Sequence, residues 1–371
     1  MSDKVRVGIL GSQFVSTIHV ESLKMVPRAE VVAVASPTEQ HVKAFAARHG
    51  IPNAFTDVRR LLDRKDVDVV VLGIPNDLHC TTAVDAAAAG KHVICEKPLC
   101  LSLAEADRMI QVCRSARVKL MYAEELCFAP KYVRLKKLIE DGALGKPTLI
   151  KQSEKHDGPH ATHFWDVRRS GGGVTMDMGC HAIEFFRWIL GKPRIRSVYA
   201  QMSTSVHASK TQGDDDSLLI LEFEGGVTAL AEESWTKPGG MDDRAEVYGS
   251  RGVAYANLLQ GNSILTYSDA GYDYAVEKAG STKGWSFTIY EEPGTTAFRK
   301  SLRTSWTALL TAPSLSRPAR TAVWCSKPCV QRTSPQGRAG KSRFRSPRTP
   351  RSPSTIGSAR VLETAECACG E

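Results

Sequence analysis

Apolar residues in the first third of the chain fall in short unbroken runs, separated by stretches in which they recur every three or four positions. The runs at 5–11, 30–35, 67–73, 92–95 and 119–122 have the length of buried strands, and the periodic stretches at 15–24, 40–49, 58–63, 81–89 and 103–115 predict helices. Strands without alternation must be covered on both faces, which helices on either side achieve. The order predicts a doubly wound parallel sheet over residues 1–123.

After residue 123 the rhythm changes. Helices are expected at 131–140 and 181–189 and a strand at 148–154, followed by strand runs at 197–202, 218–224, 227–234 and 245–249. These runs read as antiparallel strands with one face buried, and Gly225-Gly226 between two of them signals a hairpin. The fold class is therefore α/β: a Rossmann-type dinucleotide-binding domain at 1–123, then an α+β domain at 124–293 with a largely antiparallel sheet. Its open face suits substrate or a second copy of the chain, so a homo-oligomer is expected.

Composition changes this picture in one place. The 371 residues, 42% hydrophobic and 24% charged, suffice for two domains with full cores. The net charge of +9 invites a nucleic-acid reading. From Gly294 to Glu371, however, fourteen Lys or Arg face three Glu, leaving 35 basic and 37 acidic residues in 1–293. The body is close to neutral, and nucleic acid is excluded as the main partner. Six body cysteines are too sparse for a disulfide scaffold and are expected as reduced thiols. With no signal segment and no apolar stretch of membrane-spanning length, a soluble cytoplasmic protein that does not engage membranes is expected.

Gly11-Ser12-Gln13-Phe14-Val15-Ser16 lies where a strand turns into a helix, the place where backbone N–H groups hold a pyrophosphate. Gln13 and Ser16 stand where a dinucleotide fingerprint carries glycine, so the stretch reads equally as a plain tight turn. No acidic residue ends the second strand. Ser36, with Thr38, His41 or Lys43, could donate to a 2′-phosphate there, which leaves NAD or NADP open with a tilt to NADP; a turn with a helix cap is the plainer reading. Pro75, Asn76 and His79 follow the strand at 67–73, at the sheet edge where such folds bind ligands.

Glu96-Lys97-Pro98 ends the next strand, and Pro98 holds Lys97 extended over the same edge, where in neutral form it could share the proton of a reacting hydroxyl. Asp177 and His181, spaced as neighbours on one helical face after Gly171-Gly172-Gly173, read as a base and the carboxylate that sets its tautomer. Trp165, with Asp166 and Arg168, is placed at the pocket floor or its rim. His156, His160, His163, Cys180 and His181 match no compact ligand spacing, and no metal is expected.

On these residues the chain resembles the Gfo/Idh/MocA family of nicotinamide-dependent oxidoreductases over about residues 4–293: Gly11 with the turn to His19, Pro75-Asn76 with His79, 89–93 leading to Glu96-Lys97-Pro98, and Gly171-Gly172-Gly173 with Asp177, Gly179 and His181. The resemblance implies cofactor contacts from Gly11, Ser12, Phe14, Val15, Ser36, Pro75, Asn76, His79, Glu96 and Lys97. It implies Lys97, Asp177 and His181 as catalytic residues that also bind substrate with Trp165, and a sugar, polyol or inositol hydroxyl oxidised to a ketone. The rival readings are a glycoside hydrolase using transient oxidation by NAD, and a non-catalytic NAD(P) sensor.

The stretch after Pro293 holds no Asp, is rich in Arg, Ser and Pro, and reads as a disordered extension on composition alone. Shifting its codons by one base permits Trp-Asn-Tyr-Gly-Phe-Pro directly after Pro293 and further family-like words downstream. A single-base frameshift near codon 293 is the expectation.

Overall fold

The computed structural model describes residues 4–238, 241–259, 263–272 and 282–289. The stretch from Gly294, and the frameshift expected there, lie outside them.

Strands β1 (Val5–Leu10), β2 (Ala29–Ala35), β3 (Asn53–Phe55), β4 (Val69–Leu72), β5 (His92–Glu96) and β6 (Leu120–Ala123) form a parallel sheet in the order β3-β2-β1-β4-β5-β6. This is the doubly wound order, and it reverses between β1 and β4, where ligands of such sheets bind. Helices α1 (Phe14–Leu23) and α2 (Glu39–His49) cover Val7, Ile9, Val34, Val69, Val71 and Ile94 on one face. Helices α3 (Val58–Leu62), α4 (His79–Ala88) and α5 (Leu103–Ser115) cover Leu10, Ala33, Val70, Leu72, Val93 and Cys95 on the other. Successive residues of one strand thus feed two cores, which is why β4 is apolar throughout. The three-residue β3 is too short to carry a periodicity and is missed from sequence.

The second sheet is built on α6 (Pro130–Glu140), β7 (Pro147–Lys155), α7 (Val167–Ser170), α8 (Val174–Asp177) and α9 (Gly179–Ile189), then β8 (Ile195–Ser203), β9 (Asp216–Phe223) and β10 (Thr228–Ser234). Strands β11 (Asp242–Gly249), β12 (Gly252–Asn257), β13 (Ser263–Ser268) and β14 (Gly284–Ile289) complete it. Among the described residues the order is β14-β13-β12-β11-β7-β10-β9-β8, antiparallel except for β7 with β10. Gly225 and Gly226 turn the β9–β10 hairpin in a three-residue loop closed by the Phe223 N–H to the Val227 carbonyl, with φ of +92° and +82°, the region that favours glycine. Strands β12–β14 are missed from sequence.

Tyr132, Leu135 and Leu138 of α6 and Phe185, Phe186 and Ile189 of α9 pack on the inner face, against Ile150, Leu219, Leu221, Ala229, Ala245 and Val247. On the outer face one register row crosses six strands: Tyr199, Ile220, Leu230, Lys151, Glu246 and Tyr255. This is the open face expected from the alternation. The inner face carries a different row, Ser217, Glu233, Glu154 and Asp243, all buried.

Helix α8 ends at Asp177 and α9 starts at Gly179. Asp177 and His181 therefore do not share one helical face, contrary to the reading of their spacing. Among the described residues no helix is long and apolar enough to cross a membrane.

Candidate active site

The glycine turn after β1 is shaped by close packing. Gly11 has φ of +107°, and a β-carbon there would lie 2.0 Å from the carbonyl oxygen of Gly73 at the end of β4. Gln13 caps α1 in an extended conformation open to any residue, and Ser16 is fully buried with its Oγ 2.7 Å from where a β-carbon on Gly73 would stand. The turn thus requires glycine at 11, tolerates a side chain at 13 and accepts a small one at 16. It presents the start of α1 at the reversal point of the sheet, with Val15 half-buried and Phe14 63% exposed. These residues fit a dinucleotide whose pyrophosphate meets the helix N-terminus. At the ends of β1 and β2 the Ser12 hydroxyl donates to Ser36 Oγ at 2.9 Å, and no carboxylate lies in 35–38.

Three expected cofactor contacts are turned into the protein instead. His79 is wholly buried, its ring nitrogens each 2.9 Å from a carbonyl oxygen, of Pro98 and of Ile74. Glu96 is buried with its Oε1 2.5 Å from His19 Nε2, and its other oxygen accepts the Lys97 N–H at 3.1 Å. The Asn76 amide donates to the Ser170 carbonyl at 3.0 Å, tying the turn after β4, which the half-buried Pro75 opens, to the end of α7. Hydrogen-bonding side chains at a sheet edge look alike in sequence whether they serve a ligand or the fold.

Lys97, at the end of β5, reaches α8. Its Nζ lies 2.8 Å from Asp177 Oδ1 and 3.0 Å from the Asp177 carbonyl oxygen, across a Lys97–Pro98 peptide that is cis. Asp177 Oδ2 accepts the Trp235 indole N–H at 3.2 Å. Burial alone would push the lysine down, but the Asp177 carboxylate and nearby Cys180 and Glu125 hold it well above its ordinary value. Burial opposes the charge on Asp177 too, and Lys97 outweighs it, so that carboxyl titrates below the usual range. Lys97 is thus an ammonium donor, where the sequence suggested a neutral lysine.

His181, on the first turn of α9, is bonded elsewhere than expected. Its Nδ1 is 2.7 Å from Glu124 Oε1, and its Nε2 is 3.9 Å from Glu125 Oε1. The partner that orients the imidazole is therefore Glu124, just after β6, while Asp177 serves Lys97. Burial, then the Lys97 charge, lowers the His181 pKa and favours the neutral ring. Burial raises Glu124 to about 8 and Glu125 to about 7. Neither glutamate was singled out from sequence; the available signal was two consecutive carboxylates directly after a buried strand.

Trp165 is half-buried and packs edge-on against Trp235 and His207, with ring centroids 5.4 and 5.0 Å away. Asp166 caps α7 by accepting the Arg168 N–H at 3.0 Å and Arg168 is exposed, so these two belong to the rim. Within the glycine triplet, Gly173 packs against the Asp214 backbone, where a β-carbon would lie 2.0 Å from the carbonyl oxygen. His160 stacks on Phe14 at 5.8 Å, meeting the start of α1, and tilts against His156 at 4.7 Å. Glu124, Cys180 and His181 bring one potential ligand atom each within 4.8 Å of one another.

Residues 5–124 match the oxidoreductase family with an NAD-binding Rossmann fold, and residues 132–255 match the GFO/IDH/MocA C-terminal domain. The chain belongs to the GFO/IDH/MocA family. It is 30% identical over 269 residues to the myo-inositol 2-dehydrogenase of Thermotoga maritima, covering 72% of this chain and 79% of that one. It is 30% identical over 270 residues to the inositol 2-dehydrogenase of Rhizobium meliloti, covering 72% and 80%. Among solved structures it resembles GenD2 from gentamicin A biosynthesis, in complex with NAD, with TM-score 0.74 and 28% identity over 89% of this chain and 92% of that one. As a member of this family the chain is a nicotinamide-dependent dehydrogenase acting on CH–OH groups.

Proposed function

We propose that the chain oxidises a secondary hydroxyl of a sugar, polyol or inositol to a ketone, or runs the reverse reduction. The observation that carries this is the Lys97–Asp177 contact, which puts a fixed ammonium beside the neutral imidazole of His181 at the carboxyl edge of the Rossmann sheet. The names of the inositol dehydrogenases support the substrate class. A bound nicotinamide coenzyme supplies the hydride acceptor. Lys97 donates a hydrogen bond to the substrate oxygen and stabilises the charge that develops there. His181 takes the hydroxyl proton at Nε2 when Glu124, whose carboxyl burial raises to about 8, is ionised and accepts the Nδ1–H, which leaves the Nε2 lone pair free for the substrate. Asp177 keeps Lys97 charged and aimed, and Trp165, backed by the buried Trp235, walls the substrate.

For the coenzyme we infer a preference for NADP, because Ser36, paired to Ser12, directly follows β2 and no carboxylate lies in 35–38 to repel a 2′-phosphate. The open-face row from Tyr199 to Tyr255 is the surface we assign to a second copy of the chain, and sedimentation should then report more than a monomer. We retain 1–123 and 124–293 as the domain limits and the frameshift near codon 293; a DNA read through that codon with no slip removes the latter.

The deciding test incubates the purified chain with NAD+ or NADP+ and a panel of inositols and hexoses. Coenzyme reduction that His181→Ala abolishes is expected. Coenzyme binding without reduction, or release of free sugar from a glycoside without net coenzyme turnover, would overturn it.

A further inference from the structure

Glu124, Cys180 and His181 offer a carboxylate, a thiol and an imidazole, all buried, with one ligand atom from each within 4.8 Å of the others. We propose that these three residues form an inhibitory site for a borderline-soft divalent cation, Zn2+ above all, at the proton acceptor of the dehydrogenase. The clause about inhibition rests on the role given to His181; the binding of the cation does not.

The donor set is the first argument. Zinc takes Cys sulfur at about 2.3 Å, His nitrogen at about 2.0–2.1 Å and carboxylate oxygen at about 2.0–2.2 Å, and three protein ligands with an open fourth position are a stable arrangement. Donors around such an ion stand roughly 3.3–3.8 Å apart on those bond lengths. Atoms no more than 4.8 Å apart reach this with a small contraction, while the 2.7 Å hydrogen bond between His181 Nδ1 and Glu124 Oε1 opens if both atoms bind the ion. The second argument is an unused acceptor: Glu124 Oε2 is buried and has no hydrogen-bond partner, although its carboxylate sits beside the imidazole. The residues also come from two rigid places, the end of β6 and the first turn of α9, so little chain entropy is lost on binding.

Binding is balanced by loss of the Cys180 thiol proton: Zn2+ and Cys–SH give Cys–S–Zn+ and H+. The S–H now donates to the Asp177 carbonyl at 3.3 Å, and that contact is exchanged for the metal bond. Lys97 opposes a second cation here and Asp177 screens it. Whichever ring nitrogen the ion takes, proton transfer stops. At Nε2 it occupies the lone pair that accepts the hydroxyl proton; at Nδ1 it forces the ring proton onto Nε2.

The test uses the full chain with coenzyme, stripped of metal by a chelator, and Co2+ as a spectroscopic probe. One Co2+ per chain, with a thiolate-to-cobalt charge-transfer band that Cys180→Ser removes, is expected. Zn2+ should inhibit turnover reversibly on chelator addition. Measured against its own uninhibited rate, Cys180→Ser should need at least about tenfold more Zn2+ for half inhibition, since losing even an outer partner of a metal costs about 10–100-fold. Absence of the thiolate band, or zinc inhibition unchanged in Cys180→Ser, overturns the site. If no sugar or polyol is turned over, the cobalt band alone decides, so failure of the dehydrogenase reading and failure of the metal site are distinguishable.

Discussion

Glu124 Oε1 lies 2.7 Å from His181 Nδ1, and both side chains are buried. The carboxylate that orients the imidazole thus comes from directly after β6, the last strand of the parallel sheet, fifty-seven positions away, so the pair forms only when that strand end meets α9. Removing Glu124 leaves the ring free to turn. Glu124→Gln is expected to lower kcat by about 10–100-fold, less than the 10²–10⁴ that His181→Ala should cost. KM and coenzyme affinity should change little, and Glu124→Asp should restore part of kcat. Steady-state kinetics beside a coenzyme titration measure this; a fall in coenzyme affinity equal to the fall in kcat would mean a merely structural role.

Asp177 is the charge partner of Lys97, with side chains 4% and 18% exposed. Breaking a buried pair by removing one partner costs about 3–5 kcal/mol. Asp177→Asn should therefore lower the melting temperature strongly as well as the turnover, whereas Lys97→Met, with Asp177 still bonded to Trp235, should lose turnover with a smaller thermal loss. Thermal denaturation of both variants distinguishes these effects.

The buried row Glu233, Glu154 and Asp243 reverses the usual acid response. Burial raises Asp243 from 3.8 to about 6 and puts Glu154 and Glu233 well above 4.5. A carboxyl with a raised folded-state pKa binds its proton more tightly when folded. Its cost to stability is full above the folded pKa and is removed below the unfolded one. For Asp243 that is roughly 3 kcal/mol, from two pKa units at about 1.4 kcal/mol each. The row's own contribution to stability should rise as pH falls from 8 towards 5, while His79, His156, His160, His163 and His181, whose pKa burial lowers, act in the opposite sense below about 6.5. Glu233→Gln should raise the melting temperature at pH 8 by about 2–4 °C per kcal/mol gained, and do little at pH 4.5. Melting curves of the variant beside the parent test it; an equal difference between them at pH 8 and pH 4.5 would contradict it.

Ser36 directly follows β2, where a carboxylate would meet the adenosine ribose. Ser36→Asp should weaken NADPH binding by at least about tenfold through like-charge repulsion and leave NADH binding equal or better. Fluorescence titrations with both coenzymes read the ratio; an unchanged ratio would place coenzyme choice elsewhere.

Much of the architecture was legible in the chain because it follows from local periodicity. Unbroken apolar runs such as 69–72 must be covered on both faces, and the alternation in 218–224 and 227–234 must leave one face open; both hold. Glycine at 11 was legible for a similar reason, since no β-carbon fits against Gly73. Motif spacing marks Lys97, Asp177 and His181, and the fold brings Lys97 to Asp177, yet the pairing of Asp177 with His181 was misread. Spacing along one chain says which residues can share a helix face; it cannot say that α8 and α9 break at Met178, nor that Glu124 arrives from β6. Likewise His79 and Glu96 have the chemistry of ligand contacts, and only the fold reveals that carbonyls of Ile74 and Pro98 and the ring of His19 already occupy them. Sequence alone determined the layers and marked Lys97, Asp177 and His181 as candidates, because burial patterns and residue types are local properties. Tertiary structure alone decided which carboxylate meets which cation or imidazole, because hydrogen bonds form between atoms brought within 3 Å by separate elements.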